Sequence, residues 1–330
     1  MAVSWLKRRS MATRVLHAAL LAAVLVTGAY FCPTPYTLRA PGPTYPATSL
    51  VHVEGGKTYP DKGTFLMLTA VSEPATILYC IYSLFEPASE LIPKAALPRA
   101  DDGNGQDAWQ MWLSQSLAME VAFDVLVADD PKLQRRLQVG AINPNSPNSS
   151  KLKTGDVLLT LAENSVRDIR EVTQWLFQSQ AEQTVNVTVL REGKEIQVPL
   201  KIWAQGNRKV FGVIFRPVML DGDKAISVRI DSDKVGGASG GLVFCLEILN
   251  QLLPDDLTRG RSIAVTGTVD VHGNVGPVEG VHFKCIAAQR AGAQLFLCPQ
   301  ENVADIGDTG ALRVVGVKSV LGAMRILRGP

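Results

Sequence analysis

Residues 231–250 read D-S-D-K-V-G-G-A-S-G-G-L-V-F-C-L-E-I-L-N, and residues 265–293 read V-T-G-T-V-D-V-H-G-N-V-G-P-V-E-G-V-H-F-K-C-I-A-A-Q-R-A-G-A. Ser239 lies between glycines in the first segment, and the second, mostly small and apolar, carries Lys284. Flanking glycines let the backbone turn sharply, so that the serine hydroxyl projects and main-chain N–H groups can face a developing oxyanion. A helix is predicted over residues 240–253, which would place Ser239 at its positively polarised N-terminus.

Lys284 is predicted to face the protein core. At about 100° per residue, a helix places small or apolar residues beside it, namely Val281, Ala287, Ala288 and Ala291. The polar residues of the run point another way: His282, Gln289 and Arg290. Burial disfavours an ammonium ion and lowers its pKa from about 10.4 towards the range where the amine accepts a proton. Because a serine hydroxyl needs such a base to become a nucleophile, Ser239 and Lys284 are a candidate catalytic pair. The alternative is a lysine at a helix edge with its amine in water.

These segments closely resemble the proteolytic domain of Lon-type peptidases. The matching motifs are G-A-S-G-G, V-T-G-T-V, G-V-H-F-K-C-I-A-A-Q-R-A-G and the closing A-G-A-Q-L-F-L-C-P. The resemblance implies Ser239 as nucleophile, Lys284 as general base and Thr266 as a threonine near the lysine amine. It also implies an oxyanion site formed by main-chain N–H groups near the serine, at Gly237, Ala238 and Gly240. Ala238 stands where the family usually has proline and Gly240 where it has alanine, which should alter stiffness and not chemistry.

An apolar run, residues 15–31, precedes everything else. As a helix it would rise roughly 26 Å, just short of the hydrocarbon thickness of a bilayer. Basic residues come before it (Lys7, Arg8, Arg9 and Arg14), and the first acidic residue after it is Glu54. The positive-inside rule therefore predicts a cytoplasmic N-terminus (1–14), a single-pass membrane anchor (15–32) and an extracytoplasmic remainder. A cleaved signal peptide is the alternative.

Residues 139–202 resemble a PDZ domain. The matching features are S-P at 146–147, L-K-T-G-D-V-L at 152–158, a helix over 169–178, and strands over 185–191 and 195–201 that flank the turn E-G-K. Such a domain binds extended peptide by strand addition beside a helix, with a backbone loop that holds a terminal carboxylate. That loop is expected within residues 128–138, which contain no G-L-G-F-like sequence. Carboxylate binding therefore stays open, with docking of an internal strand as the alternative.

The whole chain looks like the membrane-anchored PDZ–Lon-type peptidases of bacteria (the YlbL/SepM-like group). The resemblance implies an α+β fold in which the Lon-type domain, of the ribosomal-protein-S5-domain-2-like kind, is split into 33–127 and 209–330 by an inserted PDZ-like domain at 128–204. The first part is predicted to hold strands at 50–53 and 64–71 and a helix over 107–127. Residues 36–59, rich in proline and glycine, suit an extended entry into those strands.

Composition excludes several kinds of partner. The net charge is only +2, and the basic residues before the apolar run account for that excess, so no basic domain remains to bind nucleic acid. The five cysteines lack metal-like spacing, and those in apolar runs, Cys245 and Cys298, are predicted to be buried thiols. The sequence G-G-K-T at 55–58 reads as a turn and not as a nucleotide loop. No metal, organic cofactor or nucleotide is expected, and the oligomeric state is left open, with a homo-oligomer as one option.

The sequence thus predicts an ATP-independent serine endopeptidase that cleaves extracytoplasmic proteins or peptides, since no ATPase module is recognisable in the 330 residues. One alternative is a catalytically inactive, anchored scaffold that only binds peptides. Another is a Ser–His hydrolase that uses His52, His272 or His282. The α/β-hydrolase fold that such an enzyme would need fits less well, because only about 90 residues follow Ser239 and few alternating β-α units precede it.

Overall fold

The structure is a computed structural model that describes residues 2–96, 104–205, 208–222, 224–232 and 236–329. Within those residues, the helices are α1 (Ala2–Phe31), α2 (Ile77–Ser83), α3 (Asn104–Asp129), α4 (Ile169–Gln178), α5 (Gly241–Leu252), α6 (Val281–Arg290) and α7 (Val320–Arg328). The strands are β1 (Pro33–Pro46), β2 (Val51–Glu54), β3 (Thr64–Thr76), β4 (Glu90–Pro93), β5 (Leu133–Ile142), β6 (Val157–Leu161), β7 (Asn164–Ser165), β8 (Thr184–Arg191), β9 (Lys194–Lys201), β10 (Trp203–Gln205), β11 (Arg208–Val210), β12 (Val213–Asp221), β13 (Lys224–Ile230), β14 (Ser262–Val265), β15 (Thr268–Val269), β16 (Val275–Gly276), β17 (Leu295–Pro299) and β18 (Arg313–Val317).

One sheet combines strands from both ends of the sequence, in the order β18-β17-β14-β3-β1-β4. The strands β18, β17, β14 and β3 are parallel, whereas β1 pairs with β3 and β4 in antiparallel fashion. Alternate side chains of β14 face opposite sides: Ile263 and Val265 pack in the core with α5, and Ala264 packs in the core with α6. The sheet therefore separates α5, which carries the Ser239 turn at its start, from α6, which carries Lys284. The fold is α+β, as predicted.

A second sheet runs in the order β2-β13-β12-β5-β6-β8-β9, with β7 paired beside β6. Helix α4 packs on the strands of the PDZ-like region through Val172 and Leu176. Its predicted span, residues 169–178, is confirmed. At the other end of this sheet, Val51 and Val228 pack in the core around α5. The PDZ-like strands and the region around α5 are thus joined by continuous hydrogen-bonded strands.

The proline-rich segment is more ordered than the sequence indicated. Instead of a mere extended entry, it forms β1, a strand inside the first sheet. Only residues 36–39 of β1 also pair with β4, so Pro41, Pro43 and Pro46 face a neighbour on one side alone. The register with β3 shifts between Pro41 and Thr44. A residue without an N–H group is tolerated at such bulges and open edges, which explains why this composition still forms a strand.

The N-terminal helix α1 is a candidate membrane span. Its segment Thr13–Phe31 is long and apolar enough to cross a bilayer, and none of that window is buried. A window in α3, Gln110–Asp129, passes the same test of length and composition but is half buried in the protein core. Three of the cysteines, Cys245, Cys285 and Cys298, are buried free thiols, in agreement with the apolar runs around two of them.

Candidate active site

Ser239 lies in a single 3-10 turn, Ala238–Gly240, that leads directly into α5. Gly237 precedes the turn with φ +86°, a conformation that residues with a Cβ rarely adopt. The Ser239 carbonyl accepts a hydrogen bond from Gly267 N (3.0 Å), and the Ala238 carbonyl accepts one from Ser114 Oγ of α3 (2.9 Å). The main chain around the serine is therefore held from two sides.

The glycine at position 240 has a local packing reason. A Cβ added there would lie 2.8 Å from Cε2 of Phe244, one turn further along α5. Phe244 is fully buried, so its ring has little room to move. An alanine at 240, as in the Lon-type pattern, would require a different residue or ring position at 244. The Gly240 that replaces the alanine of the Lon-type pattern is thus explained by the ring of Phe244, which occupies the space that an alanine Cβ would need.

Lys284 is buried, with 4% of its surface exposed, as its place on the apolar face of α6 predicted. Its Nζ donates to Thr266 Oγ1 (3.2 Å), and Thr266 Oγ1 donates to the Ser239 carbonyl (3.3 Å). Thr266 follows the last residue of β14 and is fully buried. This threonine therefore links the lysine amine to the main chain of the serine turn, across the end of the strand that separates their helices.

Burial changes the protonation of the amine. Desolvation lowers the pKa of Lys284 from 10.5 to about 8, and the nearby carboxylate of Glu279 opposes this shift. A substantial fraction of the amine is then neutral slightly above neutral pH and can accept a proton. Within the described residues, no hydrogen bond joins Nζ to Ser239 Oγ.

Ser239 and Lys284 line one cleft, of about 440 Å³. Gly236 and Gly237 also line it, as do residues 68–73 of β3. Strand β14 pairs with β3 only as far as Met67, so beyond that point β3 has no strand partner on the side of β14. An open strand edge offers unpaired N–H and C=O groups to an extended chain.

Only one of the three positions predicted to form the oxyanion site lies in the lining of the cleft. Gly237 lines the cleft, whereas Ala238 and Gly240 do not. Ala291, predicted to share the core face of Lys284, is exposed and caps the C-terminal end of α6. Ser114 was not predicted to take part at all. It lies 124 residues before Ala238, and no local pattern marks it as a partner of the serine turn.

The histidines proposed for a Ser–His mechanism lie elsewhere. His52 pairs with Asp231 (3.4 Å), and His282 pairs with Glu90 (3.3 Å). The backbone N–H of His272 donates to Asp270 in a surface turn. In the part of the chain that the structure describes, no histidine lines the Ser239 cleft. The geometry therefore favours lysine over histidine as the base.

The PDZ-like region has its own groove, of about 430 Å³, between α4 and residues 209–215. Strand β12 pairs with β5 along one edge, but on the other edge β13 pairs only from Met219 onwards, which leaves residues 213–218 open beside α4. The carboxylate-binding loop was expected within residues 128–138. None of those residues lines the groove, since they form the end of α3, a turn and the start of β5, and V-F-G-V at 210–213 borders the groove instead. Phe211–Gly212 is held by hydrogen bonds from Ser146 Oγ and Asn143 N.

Comparisons with known proteins agree with both regions. Residues 119–202 match the family model of the PDZ domain, and residues 232–318 match that of the Lon protease (S16) C-terminal proteolytic domain. The archaeal Lon protease of Methanocaldococcus jannaschii is 33% identical over 87 residues, which are 26% of this chain and 13% of that protein. The Lon protease of Rickettsia prowazekii is 44% identical over 88 residues, 27% of this chain and 11% of that protein.

The matched segment is thus a small part of those Lon proteases. Among solved structures, the PDZ domain of the SdrC-like protein from Listeria monocytogenes is similar, with 17% identity, a TM-score of 0.23, and coverage of 24% of this chain and 85% of that one. The motifs around Ser239 and Lys284 and the S-P and G-D-V-L signals therefore led to the correct families. This chain joins a PDZ domain to a Lon-type proteolytic domain.

Proposed function

We propose that this protein is an ATP-independent, membrane-anchored serine endopeptidase that uses a Ser239–Lys284 dyad to cleave proteins or peptides outside the cytoplasm. The observation that carries the proposal is the buried amine of Lys284, which opens into the same cleft as Ser239 and contacts the serine turn through Thr266. A buried amine with a pKa of about 8 is suited to general-base catalysis near neutral pH. Homology of this region to Lon proteolytic domains supports the same reaction class.

In the proposed mechanism, neutral Lys284 takes the proton of the Ser239 hydroxyl, and Oγ attacks the peptide carbonyl. Main-chain N–H groups of the Ser239 turn, next to Gly237 in the cleft lining, stabilise the oxyanion, and the resulting ammonium returns its proton to the leaving amine. Water then hydrolyses the acyl-enzyme by the reverse proton route. Thr266 orients the amine. Because Nζ is hydrogen-bonded to Thr266 Oγ1 in the free enzyme, a side-chain rotation must bring Nζ and Ser239 Oγ together when substrate binds.

The substrate would bind as an extended chain along residues 68–73 of β3, in the place that a longer β14 would occupy. The open edge of β12 beside α4 would bind a second extended segment and bring the protein substrate to the enzyme. Independence from ATP is supported by the loop 55–58, which connects β2 to β3 and leads into no helix. In an ATP-independent reaction, cleavage would be limited to segments that are already extended.

The proposal includes the domain arrangement and topology. Residues 1–14 are cytoplasmic, 15–32 span the membrane, and the PDZ-like domain (128–204) is inserted between 33–127 and 209–330, with residues 209–215 of the second Lon-type segment completing its groove. The sheet β18-β17-β14-β3-β1-β4 supports this division. Its strands β1, β3 and β4 precede the PDZ-like strands in the sequence, and β14, β17 and β18 follow them. The positive-inside rule supports an extracytoplasmic catalytic part.

The test compares the full-length wild type with Ser239→Ala, reconstituted in lipid vesicles and supplied with an unfolded protein. Wild type should release peptides without ATP, whereas Ser239→Ala should lose activity by about a thousandfold or more, as nucleophile removal does in serine peptidases. The exposed Ser150→Ala is the matched control and should behave as wild type. A fluorophosphonate should label wild type and Ser150→Ala but not Ser239→Ala. Equal peptide release and labelling by all three proteins would reject the peptidase and leave the peptide-binding scaffold.

A further inference from the structure

Residues 77–85, read as I-L-Y-C-I-Y-S-L-F, form α2 and the turn after it without a single charged side chain. Large apolar residues are exposed throughout this segment: Ile77, Ile81, Tyr82, Leu84 and Phe85. Leu84 and Phe85 expose 79% and 81% of their surface. Contiguous exposed patches of this kind mark interaction sites, and neither the cleft nor the PDZ groove uses this one. We call it the α2 patch.

The α2 patch adjoins the end of the candidate membrane span. The N–H of Ile77 donates to the carbonyl of Cys32, directly after α1 (3.1 Å), and Thr34 Oγ1 donates to the carbonyl of Ala75 (2.7 Å). Helix α2 packs beside α1 as well as on β1 and β3. The patch is therefore held at the level where the chain would leave the bilayer.

The border of the patch has the chemistry of a membrane interface. Tyr30, Phe31 and Tyr82 are all exposed, and the amine of Lys94 donates to the carbonyl of Thr34 (2.8 Å). Tyrosine rings are enriched where hydrocarbon meets headgroups, and lysine side chains near the end of a span extend their amines to the same level. An apolar centre with such a rim fits a lipid surface.

We propose that the α2 patch inserts into the interface of the same bilayer that α1 spans, so that the catalytic region has two attachments to the membrane. This inference rests on the proposed anchoring by α1. A lone helix would let the catalytic region swing, whereas two adjacent attachments fix its orientation. Residues 68–73 of β3 lie four to nine positions before Ile77, so the cleft would be held within roughly 13–30 Å of the patch at about 3.3 Å per strand residue.

The test places a photoreactive benzophenone amino acid in the full-length protein, reconstituted in phosphatidylcholine–phosphatidylglycerol vesicles that contain an alkyne-tagged lipid. Position 85 probes the patch, and position 25 in α1, 64% exposed, reports the anchor. Position 177 in the PDZ groove is the matched control, because Phe177 is also aromatic and is 82% exposed. The proposal predicts lipid adducts at positions 25 and 85, with about tenfold more adduct at 85 than at 177, since only an interfacial side chain meets acyl chains.

The outcomes separate this inference from the anchor and from catalysis. Adducts at position 25 with none at 85 above the level at 177 would overturn the α2 patch and keep the anchor. Cross-links from 85 to a second copy of the chain, in place of lipid, would also overturn it. Absence of adducts at both 25 and 85 would overturn the patch together with the anchoring, while the fluorophosphonate labelling of Ser239 reports the dyad independently.

Discussion

The cleft lined by Ser239 and Lys284 and the PDZ groove share one feature, an open strand edge beside a helix. In the cleft, residues 68–73 of β3 lie beside α6, and in the groove, residues 213–218 of β12 lie beside α4. The helix side chains differ. Helix α4 presents Val172, Leu176 and other apolar groups to its groove, whereas α6 presents the amine of Lys284.

This difference separates binding from chemistry. Either strand edge can pair with an extended peptide, and main-chain hydrogen bonds need no particular side chain. Catalysis additionally requires a base, and burying an amine disfavours folding because the charge loses its hydration. The cleft therefore carries a cost in stability that the apolar groove does not. Substitutions that convert one kind of lining into the other test this comparison.

The largest expected effect comes from Lys284→Met, which keeps the length of the side chain and removes the base. Peptide cleavage should fall by about a thousandfold or more. The free energy of unfolding at pH 7 should rise by up to about 3 kcal/mol, because a charged amine is no longer buried. The size follows from the pKa of Lys284, which burial lowers from 10.5 to about 8. Denaturant unfolding and a cleavage assay measure the two quantities. Peptide binding to the PDZ groove should stay unchanged, and a variant that is both active and less stable would contradict the assigned role.

The pH profile of the wild type is the next largest effect. Only the neutral amine is a base, so kcat/KM should rise with pH and level off above about 8, the lowered pKa of Lys284. Below that value it should fall about tenfold per pH unit. The free energy of unfolding should also rise with pH. The pKa of Lys284 is lower in the folded than in the unfolded protein, so burying the charged amine destabilises the fold fully below pH 8 and less and less as pH rises towards 10.5. A profile that falls between pH 7 and 8.5 would exclude lysine as the base.

In the groove, Thr173→Arg should abolish peptide docking without affecting chemistry. Thr173 is exposed on α4 and lines the groove, so arginine would place a bulky charge among apolar side chains while the core stays intact. Affinity for a fluorescent decapeptide that ends in leucine should fall by at least about tenfold, the loss of roughly 1.4 kcal/mol. The neighbouring Gln174→Arg, exposed but outside the groove, is the control. Fluorescence anisotropy measures binding, and cleavage of a short unfolded peptide should be equal in all three proteins.

The same peptide with an amidated C-terminus addresses the question that the sequence left open. If V-F-G-V at 210–213 holds a terminal carboxylate, amidation should weaken binding about as much as losing a hydrogen bond to a charged group, or roughly tenfold. Equal affinity of both peptides would favour docking of an internal strand. If neither peptide binds to the wild type, the groove is not a docking site for apolar C-termini.

Much of the site could be predicted because its signals are local. The glycines that mark the Ser239 turn and the small residues that mark the buried face of Lys284 are all within a few positions of those residues in the sequence. The bounds of α4 likewise follow from the spacing of its own apolar residues. The bounds of α5 differ from the prediction by one residue at each end.

The features that could not be predicted depend on which distant segments meet. The proline-rich β1 forms a strand because β3 lies beside it, and the loop that borders the PDZ groove comes from after β9, since β12 pairs with the edge of β5 opposite to β6. The open edge at residues 68–73 exists only because β14 stops at Val265. Such pairings are properties of the whole topology and leave no mark in a short window of sequence.

The smallest predicted effect tests such a distant contact. Ser114→Ala removes the hydrogen bond from α3 to the Ala238 carbonyl beside the nucleophile, which should reduce kcat a few-fold, as expected for a bond worth about 1 kcal/mol. KM and the pH at which the profile levels off should not change, since Ser114 contacts neither the cleft nor Lys284. Ser114→Thr keeps the hydroxyl and should recover part of kcat, whereas a merely structural defect would lower stability in both variants without such recovery. A Ser114→Ala enzyme with unchanged kcat would show that the hydrogen bonds from Gly267 N and Thr266 Oγ1 hold the serine turn without Ser114.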